Sequence, residues 1–125
     1  MPPRQGATAS VDLTVADADT ATSMLSGEVP VLATPRAVAL FEEAAMQAVR
    51  GQLGSNETTV GMRVQVDHLA PTAVGAVVTA EATLDKVEGR RLIFNVSARD
   101  ARGLVGAGKI TRVVVDVERF LDKLD

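Results

Sequence analysis

Apolar and polar residues alternate along most of this chain, and in one place the spacing changes to that of a helix. Ser10 to Ala16 sets Val11, Leu13 and Val15 against Asp12 and Thr14, which predicts a strand. Thr58 to Ala70 places Val60, Met62, Val64, Val66 and His68 on an inward face, with Arg63, Gln65 and Asp67 outward. Ala76 to Val87 turns Ala76, Val78, Ala80, Ala82 and Leu84 inward, and Arg91 to Arg99 does the same with Leu92, Phe94, Val96 and Ala98. Glu88-Gly89 between them reads as a hairpin turn. The last strand, Leu104 to Val117, contains Gly106 and Gly108, the mark of a bulge or a close backbone approach. A short helical turn is expected within Asp116 to Asp125, and a loosely held start over Met1 to Ala9.

The helical stretch runs from Pro35 to about Leu53, with Thr34 as N-cap, Pro35 at the first helical position and Gly54 as the stop. At 100° per residue, Ala37, Val38, Ala45 and Ala48 fall within about 60° of Phe41. Arg36, Glu43, Gln47 and Arg50 take the opposite side, and Glu42 sits at about 100°, on the border of the apolar arc. Alanine on the buried face lets the helix axis approach a sheet closely. The order of strand, helix and four strands in meander style predicts an α+β fold, one domain over residues 1–125. In it, one long central helix packs on a curved antiparallel sheet of about five strands. Such a sheet exposes long edges, and edge-to-edge pairing of two subunits would cover them.

Composition narrows the chemistry. Hydrophobic residues make up 46% of the chain, enough for a core, yet the only aromatics are Phe41, Phe94 and Phe120. A net charge of −3 argues against nucleic acid as a partner. With no cysteine there is no disulfide or thiolate chemistry, and one histidine makes no structural zinc site. Neither a signal-like leader nor a membrane-length apolar run is present, so the expectation is a cytoplasmic protein with no membrane partner. Gly103 to Ile110 resembles a shortened phosphate loop, but Ile110 stands where a magnesium-binding hydroxyl belongs and no helix follows.

His68 is the only histidine, and on an apolar strand face beside a turn it needs a hydrogen-bond partner. A structural imidazole is the plain reading. The company available, Thr34 at the helix start and Glu42 on the helix margin, makes a chemical reading possible. Hydroxyl, carboxylate and imidazole are the residue types that acyl-group hydrolysis uses, and a helix N-terminus favours developing negative charge. Asp17 to Pro30, with Met24 and Leu25 as its apolar insert, is either a lid or a plain connection.

Val31-Leu32-Ala33-Thr34-Pro35 with Glu42, Thr59 to Val64, Asp67 to Gly75 and Gly89 to Phe94 resemble the hotdog-fold thioesterases of the fluoroacetyl-CoA thioesterase type. The His68-Leu69-Ala70-Pro71-Thr72 segment is the most specific part. The resemblance implies a hotdog fold and a homodimer, possibly larger, with its site between subunits. It also implies a catalytic triad of Thr34, Glu42 and His68, with Gly61 near the acyl group. Coenzyme A is then part of the substrate, and no other cofactor is needed. Where the fluoroacetate-specific enzyme uses phenylalanines before the helix, this chain offers Met24, Leu25 and Val29, so Leu25 and Val29 are the candidate acyl contacts. The expected function is hydrolysis of a small or medium acyl-CoA thioester. The alternative is a non-catalytic dimer that binds acyl-CoA or another small ligand.

Overall fold

Where each strand finds its hydrogen-bonding partner decides the architecture. The structure, a computed structural model, describes residues 2–125. Five strands, β1 (Thr8–Thr14), β2 (Glu57–His68), β3 (Val77–Glu88), β4 (Arg91–Asp100) and β5 (Gly103–Asp116), form one sheet. Two helices, α1 (Thr34–Ala48) and α2 (Val117–Asp122), complete the fold. The sheet order is β1-β3-β4-β5-β2, and every pairing is antiparallel. Only β3 to β5 form the expected meander. β2 does not pair with β3 but crosses over to the far edge beside β5, because β1 already occupies the free side of β3.

The inward residues of β3 and β4 are buried as the alternation predicts, from Val78 to Leu84 and from Leu92 to Ala98. Against them α1 buries Ala37, Leu40, Phe41, Ala44, Ala45 and Ala48. Its nearest strands are β1 and β3, so the helix lies off-centre and leaves β2 partly bare. Two helix boundaries differ from the sequence reading. Ala33, not Thr34, is the N-cap, which puts Thr34 at the first helical position. Helix α1 ends at Ala48 with Val49 as C-cap, and Gly51, at φ +84°, turns the chain where Leu53 and Gly54 were expected to close the helix. The chain start is also tied down: Gly6 N–H donates to Leu84 O at 2.7 Å, and Arg4 N–H to Gln52 Oε1 at 2.8 Å. Met1 lies outside the described residues.

Strand β2 departs from strict alternation at one point. A bulge between Gly61 and Arg63 leaves Met62 without a partner on β5. Before the bulge Gly61 pairs with the inward Arg112 and Val60 with Val113, so Gly61 faces the helix and Val60 faces away. After it Val64 pairs with buried Ile110, which returns Val64, Val66 and His68 to the helix side. The inward assignment of Val60 is therefore reversed, and Met62 and Val64 are each 43% exposed rather than core.

The glycines of β5 serve the close approach expected of them. A Cβ on Gly108 would meet Gln65 O and lie 2.6 Å from Val66 Cα, and one on Gly106 would lie 2.8 Å from Asp67 O. Gly108→Ala should therefore push β2 from β5 and cost about 1–3 kcal/mol, read as a lowered midpoint in thermal or urea unfolding.

Helix α2 is started by Asp116, whose side chain accepts from Arg119 N–H at 3.1 Å. That backbone bond, ahead of the Asn56 amide and the Arg119 charge, holds the carboxyl below its ordinary 3.8. A depressed carboxyl supports the folded form above the unfolded value and loses that support as pH falls through the folded one. NMR shifts of Val117 to Asp122 should show α2 fraying as pH drops below 3.8. In Asp116→Ala the fraying should be present at all pH values.

Candidate active site

Thr34 and Glu42 are eight positions apart on the helix, about 12 Å along the axis, and each anchors a different polar cluster. At the start of α1, Thr34 Oγ1 is hydrogen-bonded to His68 Nδ1 at 2.7 Å. Because Ala33 is the N-cap, the Thr34 hydroxyl is free of the capping role and turns to the end of β2. His68 is placed there by the bulge and by Leu69 N–H bonding Val105 O at 2.7 Å. The other ring nitrogen, Nε2, is buried and has no hydrogen-bond partner among the described residues.

This pair opens into a cleft of about 320 Å³ lined by Val29, Val31, Leu32, Leu69 and Pro71 among others. The preceding segment overhangs it through Ser26, Gly27 and Val29. Its base is anchored: Thr20 and Ala21 are buried, Ala33 N–H reaches Asp19 O at 2.9 Å, and Arg36 Nε donates to Asp19 Oδ1 at 3.0 Å. Val29 thus sits at the cleft. Leu25 does not line it; it is 93% exposed, in the left-handed region at φ 59°.

The second cluster lies two turns along α1. Glu42 Oε2 accepts from Arg112 Nη1 at 2.8 Å, while Arg112 Nε donates to Thr59 Oγ1 at 2.9 Å and Nη2 to Thr59 O at 2.8 Å. Burial pulls the Arg112 guanidinium below its ordinary value, and the charge and hydrogen bond of Glu42 oppose the shift. Gly61 is the floor of this cluster: any Cβ there would collide with Glu42 Oε2. Arg112 was not singled out from the sequence, although it stands in an apolar run on the same inward parity as Ile110 and Val114.

Within one chain the two clusters do not meet. Gly61 and His68 are seven positions apart along the strand, with the bulge between them, about 20 Å. A carboxylate held by Arg112 beside Gly61 is out of reach of the imidazole of its own chain.

Comparisons with known proteins agree on what this arrangement resembles. The family model described as fluoroacetyl-CoA-specific thioesterase matches residues 15–118. A fluoroacetyl-CoA thioesterase of Streptantibioticus cattleyicolor is 39% identical over 94 residues, 75% of this chain and 68% of that protein. A mutant of the fluoroacetyl-CoA-specific thioesterase FlK, solved in complex with fluoroacetate and CoA, is 33% identical with a TM-score of 0.88, covering 94% of this chain and 98% of that one. A hot-dog-like protein from Thermanaerovibrio acidaminovorans is 28% identical with a TM-score of 0.88, over 96% of this chain and 89% of that one. The long helix on a five-stranded antiparallel sheet is thus a hotdog fold.

Removing the guanidinium should be costly. Breaking a buried ion pair costs about 3–5 kcal/mol, and Glu42 keeps 33% of its side chain exposed, which places Arg112→Ala near the lower end. Chemical denaturation checks this. Gly61→Ala should displace the Glu42 carboxylate and lower stability less than Arg112→Ala does.

Proposed function

The chain belongs to the fluoroacetyl-CoA-specific thioesterase family, and we propose that it hydrolyses a small or medium acyl-CoA thioester in a homodimer. The observation that carries the reading is the 2.7 Å bond between the Thr34 hydroxyl and the His68 imidazole in an open cleft at a helix start. A hydroxyl held by an imidazole is activated for attack. Thr34 Oγ1 adds to the thioester carbonyl as His68 takes its proton, and amides of the first helical turn stabilise the oxyanion. The carbonyl re-forms, the carbon–sulfur bond breaks and the CoA thiolate takes the proton from His68. Water then adds to the acyl-threonine as Glu42 takes its proton, and the ester C–O bond breaks as that proton passes to the departing Thr34 oxygen, which frees the acid and restores the site.

For Glu42 to take part, it must come from a second subunit, and β2 supports a way to do this. Its outer edge has no partner strand among the described residues, and Met62 and Val64 are half bare. Pairing β2 with its copy about a two-fold axis at Gln65 sets Arg63 opposite the partner's Asp67, twice, an opposite-charge cross-strand pair. The same register sets His68 against the bulge of the partner's Gly61 and Met62. The Thr34–His68 pair of one subunit then faces the Glu42–Arg112 pair of the other. A cytoplasmic setting agrees with a cysteine-free chain.

A panel of acyl-CoA substrates, with thiol release as readout, tests the activity. His68→Ala should lower kcat/KM by about a hundredfold or more in a protein that still folds. Glu42→Gln should cost well over tenfold, about 1.4 kcal/mol or more, whereas Glu43→Gln on the outer helix face should be nearly silent. Folded wild-type protein that binds CoA but releases no thiol from any thioester would instead support the binding-module reading.

The absence of native cysteine makes the dimer register easy to read. Gln65→Cys, at the proposed axis, should oxidise to a covalent dimer, since directly opposed residues lie at about 4.5–5.5 Å. Ser10→Cys, on the other sheet edge, should stay monomeric in denaturing electrophoresis. Equal cross-linking of both would remove the proposed pairing.

A further inference from the structure

Thr34 and His68 come from segments far apart in the chain, and one buried side chain ties both segments to the sheet. Thr72 stands four positions after His68 and is 1% exposed. Its carbonyl accepts from Leu32 N–H at 2.9 Å, two positions ahead of Thr34, and a bridge between Val31 and Ala73 continues that contact. Its hydroxyl donates to Asp100 Oδ2 at 3.0 Å, while Arg102 N–H donates to Oδ1 of the same carboxylate at 2.8 Å. Asp100 pairs with Gly103, which has φ +126°, so this carboxylate sits on the tight turn from β4 into β5. At the other end of the segment, Leu69 and Ala70 N–H both donate to Val105 O, at 2.7 and 3.2 Å. The chain after His68 is thus held to β5 by backbone at its start, and to the β4–β5 turn by a side-chain bond at its end.

We infer that Thr72, latched by Asp100, is a positioning residue for the Thr34–His68 pair, an assignment that rests on the thioester reading above. The place where the two segments meet is fixed to the sheet through the Thr72 hydroxyl. A carboxylate acceptor makes that bond stronger than a neutral one, and at a buried hydroxyl no water takes the place of a lost partner. Thr72 does not line the cleft, whose wall at this point is Pro71, so it acts through the pair and not on the substrate. Without the latch, Leu32 and Thr72 stay bonded to each other but can shift together against β5, which carries His68 through Val105. The 2.7 Å contact between hydroxyl and imidazole is then the first thing to loosen. A misplacement of about 1 Å can cost about a hundredfold in rate.

Thr72→Val keeps the shape of the side chain and removes the hydroxyl. It should lower kcat for acetyl-CoA by about tenfold or more with KM within about twofold of wild type, and Thr72→Ser should restore most of the loss. The chain has one histidine, so nitrogen NMR of histidine-labelled protein reads His68 alone. At a fixed alkaline pH the Nδ1 signal of Thr72→Val should move toward its position in Thr34→Val, where the bond is absent by construction. Asp100→Ala leaves the buried threonine in place and should give the same two changes, which serves if Thr72→Val does not fold. The double variant should do no more than either single one, since both act through a shared bond. An unmoved Nδ1 signal in the folded variants overturns the assignment, even where kcat falls, because the role is then only structural. A moved signal with wild-type turnover keeps the latch and removes the Thr34–His68 mechanism. In a wild-type protein that hydrolyses no thioester, a moved signal keeps the latch and removes the thioester reading, and an unmoved one removes both.

Discussion

The outer edge of β2 is the constraint on which the rest of the molecule depends. Along this twelve-residue strand the backbone donors and acceptors that point away from β5 have no partner among the described residues, and α1 lies too far toward β1 and β3 to cover the side chains beside that edge. The proposed dimer covers this edge with a second copy of the same strand, which is self-complementary under a two-fold axis. The bulge at Gly61–Arg63 then takes on a chemical meaning. It turns Gly61 toward the helix, makes room for the Glu42 carboxylate and still returns His68 to the helix face at the far end of the strand.

Rigidity in the two polar clusters comes from different sources. The Glu42–Arg112–Thr59 cluster is set by a buried guanidinium that spends its three donor nitrogens on fixed acceptors. Desolvating that charge is costly, and the cost is offset only while every partner stays in place. The Thr34–His68 pair is set by backbone: a helix start capped by Ala33 and a strand end pinned to Val105. Glu42 is thus held by a guanidinium and Thr34 by an imidazole, which suits two distinct roles in acyl transfer.

Much of this was legible in the sequence because burial has a period. The inward residues of β3 and β4 follow from alternation alone, since both strands lie inside the sheet and face α1 squarely. β2 was misread where the bulge resets the period, and no residue type announces a bulge between Gly61 and Arg63. The crossover of β2 to β5 depends on long-range pairing, which local pattern does not encode. Helix α1 was drawn too long because Leu53 still packs on the core after the helix has ended. Thr34, Glu42 and His68 were singled out by residue type and by the family resemblance. Their separation into two clusters, and Arg112 as the partner of Glu42, required the coordinates of the sheet.

The central claim is that a working site takes Thr34 and His68 from one subunit and Glu42 from the other. Mixing subunits tests it most directly. Thr34→Ala and Glu42→Gln homodimers, each inactive alone, are unfolded together in equal amounts and refolded. In the mixed dimer one site carries both substitutions and the other carries neither, so acyl-CoA hydrolysis should return to roughly a quarter of the wild-type rate. If each site were built from a single chain, every site would keep one substitution, and no recovery on mixing would contradict the account.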